Sequence, residues 1–234
     1  MFPLQDTIPS RSVPVVTWAL IVVNVLVFFL ETSMGEVQLE RFLQSFGVVP
    51  VRFLESFSLA QVATVFTSMF LHGGWAHLIG NMWFLHIFGD NVEDRMGAWN
   101  YLLFYFLAGA CAAVVQVEIS ANSTTPMIGA SGAISGVLGA YWVLFPHSRV
   151  ITMVPIFLVP QFFEVPAVFF LGLWFVTEFF SGFFSLAGAA ADEVAGGVAF
   201  WAHIGGFAVG MLIAGLFARG APERTRYPDE YSPW

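Results

Sequence analysis

Long apolar blocks separated by short polar stretches organise this chain. A helix that crosses the roughly 30 Å hydrocarbon core of a bilayer needs about 20 such residues. Six blocks are candidates, at 12–30, 75–92, 101–117, 131–145, 165–184 and 198–217. The first follows Arg11 directly. Its apolar run exceeds that of a signal peptide, and Glu31-Thr32-Ser33-Met34 offers no small-residue cleavage site, so it reads as a retained span. The 31–74 connection mixes Phe42, Leu43, Phe46 and Phe53 with Glu36, Glu40, Arg41, Arg52 and Glu55. Unstructured loops of that length are uncommon, which predicts short amphipathic helices lying in the membrane surface. The expected fold class is therefore an all-α membrane protein with six transmembrane helices and a long, partly helical first outer loop. Residues 1–218 form one domain and 219–234 a short polar cytoplasmic tail.

Composition sharpens this. Only 10% of residues are charged and 58% are hydrophobic, with a mean hydropathy of +0.78. Soluble domains carry about 25% charged residues, so a soluble domain, a disordered chain and a nucleic-acid binder are excluded. The basic residues are all Arg and the net charge is -8, which leaves no basic patch for phosphates. Cys111 is the only cysteine; it excludes an intrachain disulfide and a thiolate metal cluster, and reads as core packing. No metal or cofactor is expected. Arg11, Arg95, Arg149, Arg219, Arg224 and Arg226 fall on one side, Arg41 and Arg52 on the other, which places both termini in the cytoplasm. No internal repeat supports a transporter built from inverted halves.

Polar residues inside a bilayer are costly and mark function. With that topology, His77, Asn81, Ser131 and His203 all lie near the outer starts of their spans. His77 and Asn81, at i and i+4, share a helix face. The 131–145 block makes about 22 Å of helix, shorter than the hydrocarbon core, so Ser131 sits below the outer surface in a depression. The non-helical 124–130 segment then needs protein or water to cover it. A helix N-terminus presents free N–H groups and a positive dipole end, where an oxyanion would be stabilised. A serine there needs a base, and His203 is the best placed. His86 points to the inner side, His147 lies inside, and His72 is a reserve. No Asp or Glu is expected at the right depth, so the chemistry is that of a Ser–His dyad. Glu178 is assigned a buried or interfacial structural role. Each residue also has a plain structural reading. The Ser131, Ser135, Gly139 stripe taken alone is helix packing. Gly206 and Gly210 are read that way here, as the small surface that lets span six approach span four. His77 with Asn81 makes an interhelical hydrogen-bond pair just as readily.

These residues resemble the rhomboid family of intramembrane serine proteases, over nearly the whole chain. His72-Gly73-Gly74-Trp75-Ala76-His77 with Asn81, Glu93-Asp94-Arg95-Met96-Gly97, Gly129-Ala130-Ser131-Gly132 and Ala202-His203-Ile204-Gly205-Gly206 carry the resemblance. Phe46-Gly47-Val48-Val49-Pro50 adds to it. The resemblance implies Ser131 as nucleophile and His203 as general base. It implies an oxyanion hole of His77, Asn81 and the Ser131 N–H, and structural roles for Glu93, Arg95, Gly97 and Gly129. Span five and the 192–197 loop would be gate and cap. The partners implied are membrane-anchored protein substrates and the lipid bilayer, with no nucleic acid, in a plasma or bacterial inner membrane. One departure is Ser135, where some members carry a Tyr stacked on the catalytic His. Two alternatives stay open: a catalytically silent binder of membrane helices, and a small transporter or channel.

Overall fold

A computed structural model describes residues 1–56, 58–157, 159–187 and 199–218. In chain order the elements are β1 (Phe2–Asp6), α1 (Val15–Thr32), α2 (Glu36–Phe46), α3 (Pro50–Glu55) and α4 (Leu59–Thr67). A 3₁₀ turn (Ser68–Phe70) follows, then α5 (Trp75–Met96), α6 (Ala98–Ile119) and α7 (Ser131–Leu144). The chain continues through β2 (Arg149–Ile156), β3 (Val159–Pro166), α8 (Ala167–Ala187) and α9 (Phe200–Ala218). Each of the six apolar blocks carries a helix, and α2, α3 and α4 lie in the first loop. The cytoplasmic tail, the cap loop and the first residue of the sixth block lie outside the described residues.

Length and apolarity qualify four helices to cross a membrane: α1, α6, α8 over Ala167–Ser185, and α9. α7 has only 14 residues. α5 has 22, but its last turns carry Asp90, Glu93, Asp94 and Arg95.

The all-α expectation needs a correction. β1, β2 and β3 form an antiparallel sheet in the order β1-β2-β3. The 149–166 stretch is rich in Val, Ile and Phe, which fit strands. Its prolines and mostly apolar character hid any alternation, and the sheet needs a partner from the far N-terminus. That partner is pinned by three bonds. Trp83 Nε1–H donates to the Pro3 carbonyl (2.6 Å), while Tyr141 Oη–H (2.6 Å) and Asn91 Nδ2–H (2.7 Å) donate to Asp6 Oδ2. α8 consequently starts at Ala167, with Val165 still in β3.

α7 is the central helix: residues 132–141 are all buried. Glycine decides how close its neighbours come. A Cβ on Gly206 would meet the Gly132 carbonyl, one on Gly210 the Gly136 carbonyl, and one on Gly139 the Phe207 carbonyl. Backbones in direct contact of this kind are how small residues pack helices in lipid. At the other end of α5, Glu93 joins it to α1. Its carboxylate accepts from Val16 N–H (2.9 Å), Thr17 N–H (2.8 Å) and Thr17 Oγ1–H (2.8 Å), satisfying free donors of the first turn of α1. Asp94 accepts from Arg11 N–H, Ser12 N–H and Ser12 Oγ–H. Gly97, at φ 79°, ends α5 and starts α6 in a backbone conformation that suits glycine. Arg95 lies in the last turn of α5, where a cation complements the helix dipole.

Candidate active site

Ser131 is the first residue of α7, so the first-turn N–H groups around it have no intrahelical acceptor. The segment before it is covered by the first loop. Val48 and Met127 exchange backbone hydrogen bonds of 3.1 and 2.7 Å, and Gly129 N–H donates to the Ser68 carbonyl at 2.9 Å. Gly129 turns the chain at φ 124°, and a Cβ there would meet His77 Nε2 at 2.7 Å. Only glycine allows that conformation with an imidazole against it.

His203 comes from the first turn of α9, carried to α7 by the Gly206 and Gly210 contacts. Its Nε2 lies 2.8 Å from Ser131 Oγ. Its Nδ1 lies 2.7 Å from Glu178 Oε2. Facing an ionised carboxylate, which only accepts, Nδ1 would carry the proton and Nε2 would be free to accept from the serine hydroxyl. The expectation that no carboxylate reaches this depth is thereby corrected. Glu178 lies six residues before Phe184, the C-terminal end of its block, and His203 five after Val198, the N-terminal start of the next. In antiparallel neighbours those two positions are level. That arithmetic was available in the sequence, but apolar α8 does not advertise a site.

Trp174 sits one turn before Glu178, with its ring centroid 6.1 Å from that of His203. Ser135 donates from Oγ to the Ser131 carbonyl at 2.7 Å.

α5 provides the opposite wall. His77, Asn81, Ser131, Trp174, Glu178 and His203 line one cavity of about 720 Å³. Asn81 Nδ2–H donates to His72 Nε2 at 3.0 Å, which leaves its second amide hydrogen and its oxygen. His72 is therefore a support behind Asn81 and not an alternative base. Burial, with the neighbouring His77 adding to it, lowers its pKa to about 4. Its backbone N–H donates to both carboxylate oxygens of Glu31 at 3.2 Å. The remaining histidines are elsewhere: His86 packs on Trp18, and His147 is exposed.

A rhomboid domain profile matches residues 59–220. Mitochondrial Rhomboid protein 1 of Saccharomyces cerevisiae is 31% identical over 185 residues, 75% of this chain and 49% of the yeast protein. Rhomboid protease GlpG of Salmonella choleraesuis is 25% identical over 229 residues, 96% of this chain and 70% of that protein. Rhomboid protease GluP of Bacillus subtilis is 35% identical over 130 residues, 54% of this chain and 24% of that protein. The chain thus spans about half the length of the yeast relative and about a quarter of the Bacillus one. With a domain match over most of its length and four helices fit to cross a bilayer, the chain is an integral membrane protein and belongs to the rhomboid family.

Proposed function

We propose that the chain is an intramembrane serine endopeptidase that cuts membrane-anchored proteins near the outer ends of their spans. The observation that carries this reading is the 2.8 Å approach of His203 Nε2 to Ser131 Oγ inside a cavity shared with His77 and Asn81.

In this reading Ser131 Oγ attacks the carbonyl carbon of the scissile peptide as its proton passes to His203 Nε2. The oxyanion of the tetrahedral intermediate faces His77, Asn81 and the N–H groups that open α7. Collapse breaks the C–N bond, and His203 returns the proton to the leaving amine. Water then enters the cavity, gives a proton to His203 and attacks the acyl-serine, and the proton returns to Ser131 Oγ. Six helices cross the membrane, both termini face the cytoplasm, and the cavity opens outward to the water that hydrolysis needs. A substrate helix has its own backbone groups satisfied, so it must unwind before attack. Segments with small or helix-breaking residues near the cut are therefore preferred. Glu93, Arg95, Gly97, Gly129, Gly206 and Gly210 hold the frame without touching substrate.

The test uses the full chain in vesicles of cell-membrane lipid with a panel of single-span substrates. Ser131→Ala is expected to lower cleavage by at least about 10³-fold and to abolish labelling by a fluorophosphonate, and His203→Ala to do nearly as much. Cleavage by Ser131→Ala at the wild-type rate would sink the reading.

A further inference from the structure

In α8 a single carboxylate lies among aromatic and aliphatic side chains. An acid within such a helix is costly unless something on its face requires it. Among the described residues, the hydrogen-bond partner of Glu178 is His203, through the ring nitrogen that faces away from Ser131. Both side chains are largely buried, at 12% exposure for His203 and 17% for Glu178. The three groups thus form a line from carboxylate through imidazole to hydroxyl, with Trp174 beside the ring.

We propose that Glu178 is a positioning residue for His203, so that the reaction runs on a Ser–His–Glu triad and the base is set only while α8 lies against α9. The proposal rests on the protease reading above. Three effects follow from the geometry. The carboxylate holds the proton on Nδ1, which keeps the Nε2 lone pair toward Ser131. It fixes the ring plane by a second anchor besides Trp174. It also faces the positive charge that the ring acquires during attack, at a distance where the water-poor surroundings leave the attraction strong. No proton moves to Glu178: the proton taken from Ser131 stays on Nε2 until the leaving amine takes it. Among the described residues, the other titratable side chain facing this part of the cavity is His77 from α5, with His72 behind it, and neither can act as a negative partner.

Because Glu178 belongs to α8 and the other two groups to α7 and α9, the triad spans a helix boundary. Any outward movement of α8 that opens the cavity separates the carboxylate from the ring.

The experiment compares Glu178→Gln, Glu178→Ala and Glu178→Asp in the reconstituted full chain, reading kcat and KM on a single-span substrate and the fluorophosphonate labelling rate. Glu178→Gln and Glu178→Ala are expected to lower kcat by about 10²–10⁴-fold with KM within a few-fold, and to slow labelling in parallel. Glu178→Asp is expected to keep more activity than Glu178→Gln. Nitrogen-15 spectra of labelled histidine should show His203 with its proton on Nδ1 in the wild type and a tautomer mixture in Glu178→Gln. If Glu178→Gln folds, keeps the single tautomer and has kcat within threefold of wild type, the carboxylate is a structural clasp and the proposal falls. That result leaves the protease reading intact as long as Ser131→Ala is inactive. Activity in Ser131→Ala would instead remove the reading on which the proposal stands.

Discussion

α9 makes two helix seams of opposite character. Against α7 it packs backbone on backbone, through Gly206 and Gly210 on one side and Gly132, Gly136 and Gly139 on the other. Against α8 it packs large rings: Phe175 on Phe207 at 5.0 Å, Trp174 on Phe207 at 5.9 Å and Phe179 on Trp201 at 6.2 Å. Only 22% of the α8 span is buried, against 44% for α6. A glycine seam admits no sliding without backbone clash. An aromatic seam can separate and close again, since side chains and not backbones meet across it. Ser131 and His203 sit across the first seam, and Glu178 and Trp174 reach His203 across the second. Under the proposed function the bond-making groups would hold still, and the element that would admit a substrate would also carry part of what orients the base.

The strongest way to break the comparison is to put bulk into the glycine seam. Gly210→Val meets the Gly136 carbonyl and should cost about 3 kcal/mol or more, with loss of serine labelling, read as a fall in thermal midpoint. If the variant kept wild-type stability and activity, the seam would not be the rigid part.

A second test addresses the wall opposite α8. His72 is 3% exposed, its pKa is lowered to about 4, and its Nδ1 has no partner among the described residues. Its ordinary value is 6.5, so the stability of its neutral form is fully present above that pH. As the pH falls from 6.5 towards 4, the unfolded chain binds a proton that the folded one refuses, and up to about 3 kcal/mol is lost. Protonation also removes the acceptor of the Asn81 amide. The groups facing His72 are Glu31 from α1, which takes its backbone N–H, and His77 and Asn81 from α5. The drop in thermal midpoint between pH 7 and pH 4.5 should shrink in His72→Gln. An equal drop in both proteins would assign the acid sensitivity elsewhere.

The smallest effect on stability is expected at the aromatic seam. A Cβ on Gly182 would lie 3.2 Å from the Phe200 Cβ and 3.3 Å from the Trp201 ring, so Gly182→Leu should push α8 outward for about 1 kcal/mol, the low end for added bulk. With Glu178 drawn away from His203, kcat should still fall about tenfold or more. Unchanged kcat with a displaced α8 would uncouple that helix from the base.

The first loop, the six helical blocks and the short α7 were legible because bilayer thickness and helix rise set their lengths from composition alone. That Ser131, His203, His77 and Asn81 come together around one cavity was legible for a related reason: among so few polar residues, those at equal depth stand out. The glycine contact of α9 with α7 was also readable, since small residues at four-residue spacing have few other uses in lipid. Glu178 was not read as part of the site because no acid was expected at the depth of His203, although counting inward from the facing ends of the two blocks makes the two residues level. Asn81 was read as facing the cavity, and its bond to His72 behind it depends on the fold of a connection that no periodicity describes.

The sequence by itself determined that the chain lives in a membrane, where its helices lie, and which side chains share a depth, because hydrophobic length and helix rise are one-dimensional quantities. Only the tertiary structure decided rotation and partnership: that Glu178 turns toward His203, that Trp174 takes the place beside the ring, and that β1 closes a sheet with residues 149–166. Those outcomes depend on which neighbour each helix face meets, and that is set by packing across elements far apart in the chain.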